Sequence, residues 1–262
     1  MATERLDRIL AHHGYGSRKD ARKLLGAGKV QVNGATVNDP SFHLNPDTDT
    51  LCVDGTELVL KEHVYLMMNK PQNVVCAAKD GLHSTVFDLL GSEYRHSFLG
   101  GNLHIVGRLD IDTEGLLLFT TDGTLTHRLL SPKTHVPKTY LVHLETAVSV
   151  EGQHRMQAEF AAGVFVPHEG NEHGFTAQPA ELAFDSESVA RLVICEGKFH
   201  QVKRMFAATG HEVLTLRRLR FGPLMLDERL GEGDWRELTP EEITALYRAA
   251  GMRMSDEEKK DG

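Results

Sequence analysis

The residues with the clearest chemical potential fall in one stretch, Gly107-Arg-Leu-Asp110-Ile-Asp112-Thr-Glu114-Gly115-Leu-Leu-Leu-Phe-Thr-Thr-Asp122-Gly123. Arg108 and Asp110 are two apart, so in extended backbone their side chains share a face. A carboxylate beside an arginine is suited to nucleophilic or general-base work, and equally to a surface salt bridge. Asp112 to Gly115 has the polar composition of a turn, which leaves Asp112 as a turn former and Glu114 as an exposed competitor carboxylate. The apolar run from Leu116 predicts a buried strand closed by a turn at Asp122-Gly123.

The elements around this stretch mix without regular alternation, which predicts an α+β class with a mainly antiparallel mixed sheet and flanking helices. Leu6, Ile9 and Leu10 have helical spacing, and Ser17 followed by Asp20 is a capping-box variant opening a second helix to about Leu25. That helix leaves Arg18, Lys19, Arg22 and Lys23 to solvent. Val30-Gln-Val32, Asn33-Gly34 and Ala35-Thr-Val read as a hairpin. Leu51 to Gly55 reads as a closing strand and turn, and Leu58 to Glu62 as connection to a larger unit. Further on, the patterns predict a strand from Tyr65, a short helix over Thr85 to Leu90, and a helix over Thr124 to Leu130. They continue with a strand from Lys138, a helix over Glu151 to Ala162 and a strand from Arg191. A helix with a polar opening from Glu196, a strand over Val213 to Leu216 and a strand at Trp235 leading into a proline-started helix complete the pattern.

Three cysteines in 262 residues have no paired spacing, which argues against a disulfide framework or a zinc site and for a reducing compartment. His168, Glu169, Glu172 and His173 lack a third ligand at sensible spacing and read as a solvated loop. No apolar run approaches the roughly 18 residues of a membrane span, and the start lacks the pattern of a signal peptide, so the expectation is cytoplasmic with no membrane partner. The net charge of −8 conceals segregation: Ser17 to Lys29 carries +4, Arg191 to Arg220 carries +5, and Phe221 onward −5. Two basic surfaces on an acidic body fit a phosphate-binding footprint, although such clusters are also common solvated faces.

The wording Gly-Arg-Leu-Asp-x-Asp-Thr-x-Gly-Leu-Leu resembles the catalytic motif of pseudouridine synthases that act on single ribosomal RNA sites. Asn69-Lys70-Pro71 before Val74-Val75, Lys138-Thr-Tyr140, and Glu196 to Ala208 resemble other motifs of that family in the same order. The helix–helix–hairpin start resembles the S4 RNA-binding module. The resemblance implies an S4-like domain over 1–60, a linker at 61–64, a pseudouridine synthase domain over 65–248 and a disordered charged tail over 249–262. It implies Asp110 as catalyst, as nucleophile or as base, and Lys203 as the basic partner that favours its charged form. Tyr140 would lie against the target base and Arg108 would fill the space left by an extruded base. Arg18, Lys19, Arg22, Lys23 and Lys29 would meet RNA. No cofactor or metal is implied, and a monomer suffices. His-Gln-Val-Lys-Arg-Met-Phe-Ala-Ala looks most like the small-subunit members, implying 16S RNA, at uridine 516, or an assembling small subunit as partner. The alternatives are a large-subunit (23S) enzyme of the same family and a non-catalytic RNA-binding assembly factor. An unrelated hydrolase lacks any positioned triad.

Overall fold

The computed structural model describes residues 3–253 apart from 47, 59, 61, 62, 92, 93, 95–101 and 171. The chain begins with β1 (Glu4–Arg5), α1 (Leu6–His12), α2 (Arg18–Gly26), β2 (Val30–Val32), β3 (Ala35–Thr36), β4 (His43–Leu44), β5 (Leu51–Val53) and β6 (Thr56–Leu58). Ser17 and Asp20 form the reciprocal capping box that starts α2, satisfying backbone donors that have no helical partner. Asn33 and Gly34 both have positive φ, 51° and 78°, as a tight hairpin turn between right-twisted strands requires. Leu6, Ile9, Leu10, Ala21 and Leu25 close against Val30, Leu51 and Val53 in a core of their own. Thr56 to Leu58, of which only Leu58 is expected to belong to the connection, is the fourth strand of this small sheet, ordered β3-β2-β5-β6. The Asp54-Gly55 turn folds it back onto β5.

Beyond residue 63 come β7 (Tyr65–Lys70), β8 (His104–Ile105), β9 (Thr113–Thr120), α3 (Gly123–Leu130), β10 (Lys138–Leu144) and α4 (Val150–Ala162). They are followed by β11 (Phe165–Val166), β12 (Phe175–Thr176), β13 (Glu181–Phe184), β14 (Val189–Ile194), α5 (Gln201–Ala208), β15 (Val213–Phe221), β16 (Leu224–Met225), β17 (Trp235–Glu237) and α6 (Pro240–Ala249). A nine-stranded sheet runs β13-β14-β10-β15-β9-β7-β17, with β16 on β15 and β8 on β9. Every pairing in it is antiparallel except β9 with β15, so the sheet is mixed and mainly antiparallel.

β9 lies at the middle and is buried on both faces, which accounts for its unbroken apolar run. Leu117 and Phe119 face the core shared with Met156 and Phe160 of α4 and Met205 and Phe206 of α5. Leu116 and Leu118 face the opposite core, with Leu125 and Leu129 of α3 and Ile243, Leu246 and Tyr247 of α6.

Several local expectations are corrected. Thr85 to Leu90 is a run of turns: the Thr85 and Asp88 side chains form the reciprocal bonds of a helix start, but a bridge pairs Thr85 with Val75 and no helix follows. α5 begins at Gln201 rather than near Glu196, and β15 continues through Arg217, Arg218 and Arg220. Ala249 ends α6 and Ala250 is buried, so the packed chain extends past the expected boundary at 248. The rest of the expected tail, 254–262, lies outside the described residues.

Candidate active site

The loop between β8 and β9 carries Arg108 and Asp110, and neither residue lies in a strand. The shared strand face expected from their spacing is therefore not formed. Gly107 turns the loop with φ +75°. The Leu109 amide then donates to the Cys76 thiol at 3.4 Å.

The loop is held from beneath by Lys70, the last residue of β7, which is completely buried. Its Nζ donates to the carbonyls of Thr113 (2.8 Å), Asp110 (3.0 Å), Pro71 (3.1 Å) and Ile111 (3.4 Å). Burial pushes the Lys70 ammonium below its ordinary value, and nearby acidic groups including Asp112 and Asp110 oppose that shift. A buried ammonium surrounded by carbonyl dipoles works as a structural cation, fixing the backbone on either side of Asp110.

The Asp110 carboxylate is left about a third open, at 31% exposure. Opposite it stands the N-terminus of α5. His200 Nε2 lies 3.6 Å from one carboxylate oxygen and Lys203 Nζ 3.9 Å from the other. Lys203 makes a still closer contact with Asp112, so its pairing is shared rather than exclusive to Asp110. Burial raises the Asp112 carboxyl, but the Lys203 ammonium outweighs it and holds the group below the usual range. Glu114 is half-buried rather than exposed, accepting from Gln72 at 2.8 Å. His200 takes a left-handed backbone, φ 47°, and its ring stacks on Phe199 with centroids 3.8 Å apart. The bend is braced by buried Gln201, which accepts from the Lys198 amide at 2.9 Å and donates to Glu196 at 2.6 Å.

Arg108, Asp110 and Tyr140 all line one cleft of about 1130 Å³. Arg108 is exposed and makes no ion pair or hydrogen bond among the described residues, so it is not the salt-bridge partner of Asp110. Tyr140 is buried on β10, and its hydroxyl makes no hydrogen bond among the described residues. A sheet face carrying an aromatic ring, a loop carrying a carboxylate and a helix end carrying cations thus converge on one space. Lys70 stood in a recognised sequence pattern but gave no sign of its buried role. His200 was visible only as part of its motif.

The five basic residues expected on the N-terminal unit are all exposed. Lys23 pairs with Asp20 at 3.0 Å and Lys29 with Asp54 at 2.7 Å, while Arg18, Lys19 and Arg22 form no ion pair among the described residues. Arg18 and Arg22 help hold the buried Asp7 carboxyl below its ordinary range, after the larger effect of Arg5.

A small module with a basic helix face, followed by a mixed-sheet domain whose cleft holds a carboxylate among basic side chains, is an arrangement suited to chemistry on RNA. Residues 64–208 match the RNA pseudouridylate synthase family and residues 4–49 match the S4 domain. The uncharacterized RNA pseudouridine synthase YtzG of Bacillus subtilis is 44% identical over 92% of this chain and 98% of its own. Ribosomal small subunit pseudouridine synthase A of Escherichia coli is 41% identical over 92% of this chain and 99% of its own. A crystal structure of a pseudouridylate synthase, 37% identical, superposes with a TM-score of 0.63 over 92% of this chain and 99% of that one. The chain belongs to the RNA pseudouridylate synthase family, and it is an isomerase acting on RNA. Among the described residues no helix is long and apolar enough to cross a membrane.

Proposed function

We propose that this enzyme isomerises a single uridine of 16S ribosomal RNA, uridine 516, with Asp110 as the catalytic carboxylate. The observation that carries the catalytic assignment is the arrangement around Asp110. It shares a cleft with Tyr140, has two basic side chains within 4 Å of its oxygens, and sits on a loop clamped by Lys70. Asp112 is tied to Lys203 and Glu114 to Gln72, and neither rival carboxylate lines the cleft.

The reaction detaches uracil from C1′ and rejoins it through C5, and the target must leave its stack to be reached. Arg108, exposed at the cleft and without an ion pair, is placed to occupy the vacated position. Asp110 acts at the sugar, either by attack on C1′ or by removal of the 2′ proton. Tyr140 lies against the ring as it turns. Lys203 compensates negative charge at Asp110, and the His200 ring stands beside it in a partly dry site.

The 16S assignment is supported by the names of relatives 41% identical to this chain, and by the His200-Gln201-Val-Lys203-Arg204-Met sequence at α5. In this reading residues 1–60 bind RNA and the domain from residue 65 through α6 carries the reaction, in the cytoplasm, as a monomer, on free RNA or an assembling small subunit. The test is pseudouridine mapping of ribosomal RNA from cells carrying wild type, a deletion, or Asp110→Asn. Loss of one small-subunit pseudouridine in both mutants is expected. Loss at a large-subunit site would reassign the target. A deletion that removes nothing would favour a binding role without turnover.

A further inference from the structure

The cleft has a second cationic group that the proposed roles do not use. Lys138 and Tyr140 are two apart on β10, and both side chains are buried along the cleft. Arg218 on β15 is the cross-strand partner of Tyr140, and Phe221 that of Lys138. A bulge between Thr139 and Tyr140 shifts the register between the two pairs, and all four side chains line the cleft. The Phe221 ring lies beneath both cations, with its centroid 5.5 Å from Lys138 Nζ and 5.4 Å from Arg218 Cζ.

Two buried cations ordinarily require a carboxylate, and among the described residues this pair has none. Among those residues Lys138 Nζ bonds only the Cys195 carbonyl, at 3.4 Å. Arg218 Nε donates to the Leu116 carbonyl at 2.8 Å, and its Nη2 is buried without an acceptor. Glu196, the nearest acid to Lys138, is already engaged by the Gln178 amide, the Gln201 side chain and Lys198. Burial, then the charge of Arg218, push the Lys138 ammonium below its ordinary value. Arg218 is 2% exposed and Lys138 8%, so this is not a solvated surface pair. The arrangement is electrostatically unfavourable in the empty enzyme and becomes favourable when an anion enters.

The proposed reaction creates such an anion at this place. When the C1′–N1 bond breaks, N1 keeps the electron pair. The sugar carbon is then bonded by Asp110, or becomes part of a glycal after loss of the 2′ proton. In both routes the detached uracil carries one negative charge, spread over N1, O2 and O4, until C5 bonds to C1′ as the Asp110–C1′ bond breaks or the 2′ proton returns; the C5 proton then passes to N1 and the product is neutral.

We propose that Lys138 and Arg218 are catalytic residues that receive the oxygens of the detached uracilate, lowering the barrier to its departure while Tyr140 contacts the ring. This inference rests on the pseudouridine synthase reading of the cleft. It gives the cations a task that is independent of which sugar route Asp110 takes.

The test separates chemistry from binding. Single-turnover rates at saturating ribosomal RNA transcript and equilibrium Kd values are measured for wild type, Lys138→Gln, Lys138→Arg and Arg218→Gln, with thermal unfolding as a check. Lys138→Gln keeps a donor but removes the charge, and is expected to slow the single turnover by roughly 10²-fold, with Kd within about 2-fold of wild type. Lys138→Arg is expected to recover most of the rate. Arg218→Gln is expected to behave as Lys138→Gln does, and decides the matter if the latter fails to fold. A saturating rate within about 2-fold of wild type for the folded charge-removing variants would overturn the proposal. So would an unchanged saturating rate with weaker binding and a shallower salt dependence, which would assign the pair to an RNA phosphate. If wild type modifies no uridine, the parent reading fails. If wild type is active, Asp110→Asn is not, and charge removal at Lys138 costs nothing, only this inference falls.

Discussion

Lys203 sits directly against Asp112 while standing 3.9 Å from Asp110, so one ammonium serves two carboxylates of the same loop. Asp112 is the more solvated partner, at 61% exposure, and an open ion pair contributes little. Asp112→Asn is therefore expected to change the single-turnover rate by no more than about 5-fold, the equivalent of ~1 kcal/mol. Asp110→Asn is expected to lose detectable turnover. Rapid-quench kinetics on both variants checks the pair, and a dead Asp112→Asn enzyme would shift the assignment to the second aspartate.

Lys70 makes a different prediction because it touches no substrate position. Replacing it by methionine strands the Asp110, Ile111 and Thr113 carbonyls without their donor. The expected loss is about 3 kcal/mol of stability, the scale for removing a charged hydrogen-bond donor from buried acceptors. Denaturant midpoints measure it. Activity should fall in the folded fraction as well, because the loop bearing Asp110 loses its clamp. Full stability in Lys70→Met would show that the loop is held by other contacts.

How far the sequence disclosed this arrangement depends on the range of the interaction. Helical spacing at Leu6, Ile9 and Leu10, the Ser17–Asp20 cap and the Asn33-Gly34 turn are local, and each was legible from neighbouring residues. The alternation of Lys138 to Leu144 was legible because β10 has one face turned to the interior. What was not legible is which distant groups meet. Nothing local to Lys70 says that its ammonium collects carbonyls some forty residues away. Nothing in Glu114 points to Gln72. The Thr85 to Leu90 run carried a helix-like cap yet became turns, because a tertiary bridge to Val75 overrode the local preference. Likewise Arg108 and Asp110 have strand spacing, but their segment lies outside β9 and the spacing carries no facial meaning there.

Gly115 tests the seam where the site halves join. It has φ +99° and pairs with Arg218 across the sheet's parallel contact. A Cβ built there would lie 2.3 Å from the Arg218 carbonyl oxygen and 2.9 Å from its amide nitrogen, both backbone atoms that cannot swing aside. Gly115→Ala is expected to push β9 from β15, destabilising the enzyme by roughly 3 kcal/mol or preventing folding, since strain and overpacking act together. Thermal unfolding of the variant decides this. A melt indistinguishable from wild type would contradict the tight strand approach.

The capping box gives a pH signature. Hydrogen bonds from Ser17, then from Lys23, hold the Asp20 carboxyl down at about 2, against an ordinary value of 3.8. A carboxyl depressed in the folded state contributes stability above its unfolded value and loses that contribution as pH falls through the folded one. The contribution should therefore be intact above about pH 4 and disappear toward pH 2. Comparing wild type with Asp20→Asn by thermal melts, the difference between them should shrink across that window. A difference independent of pH would show that the cap's charge is immaterial.

The basic face of α2 divides into engaged and available charges. Lys23 and Lys29 already hold Asp20 and Asp54, whereas Arg18, Lys19 and Arg22 are exposed without an ion pair among the described residues. Each phosphate that a cation neutralises releases counterions, and this sets the slope of log affinity against log salt. Neutralising Arg18, Lys19 and Arg22 together should lower that slope by about 2, on the scale of 0.7–0.9 per contact, and weaken binding at low salt. Lys29→Gln should change it far less, because Asp54 already compensates that charge. The saturating single-turnover rate should stay near wild type in both variants, since neither touches the cleft. Filter binding across a salt series gives the slopes. A triple variant with unchanged affinity and slope would mean that this face does not meet RNA, and would move the binding surface to the basic residues of β15 and α5.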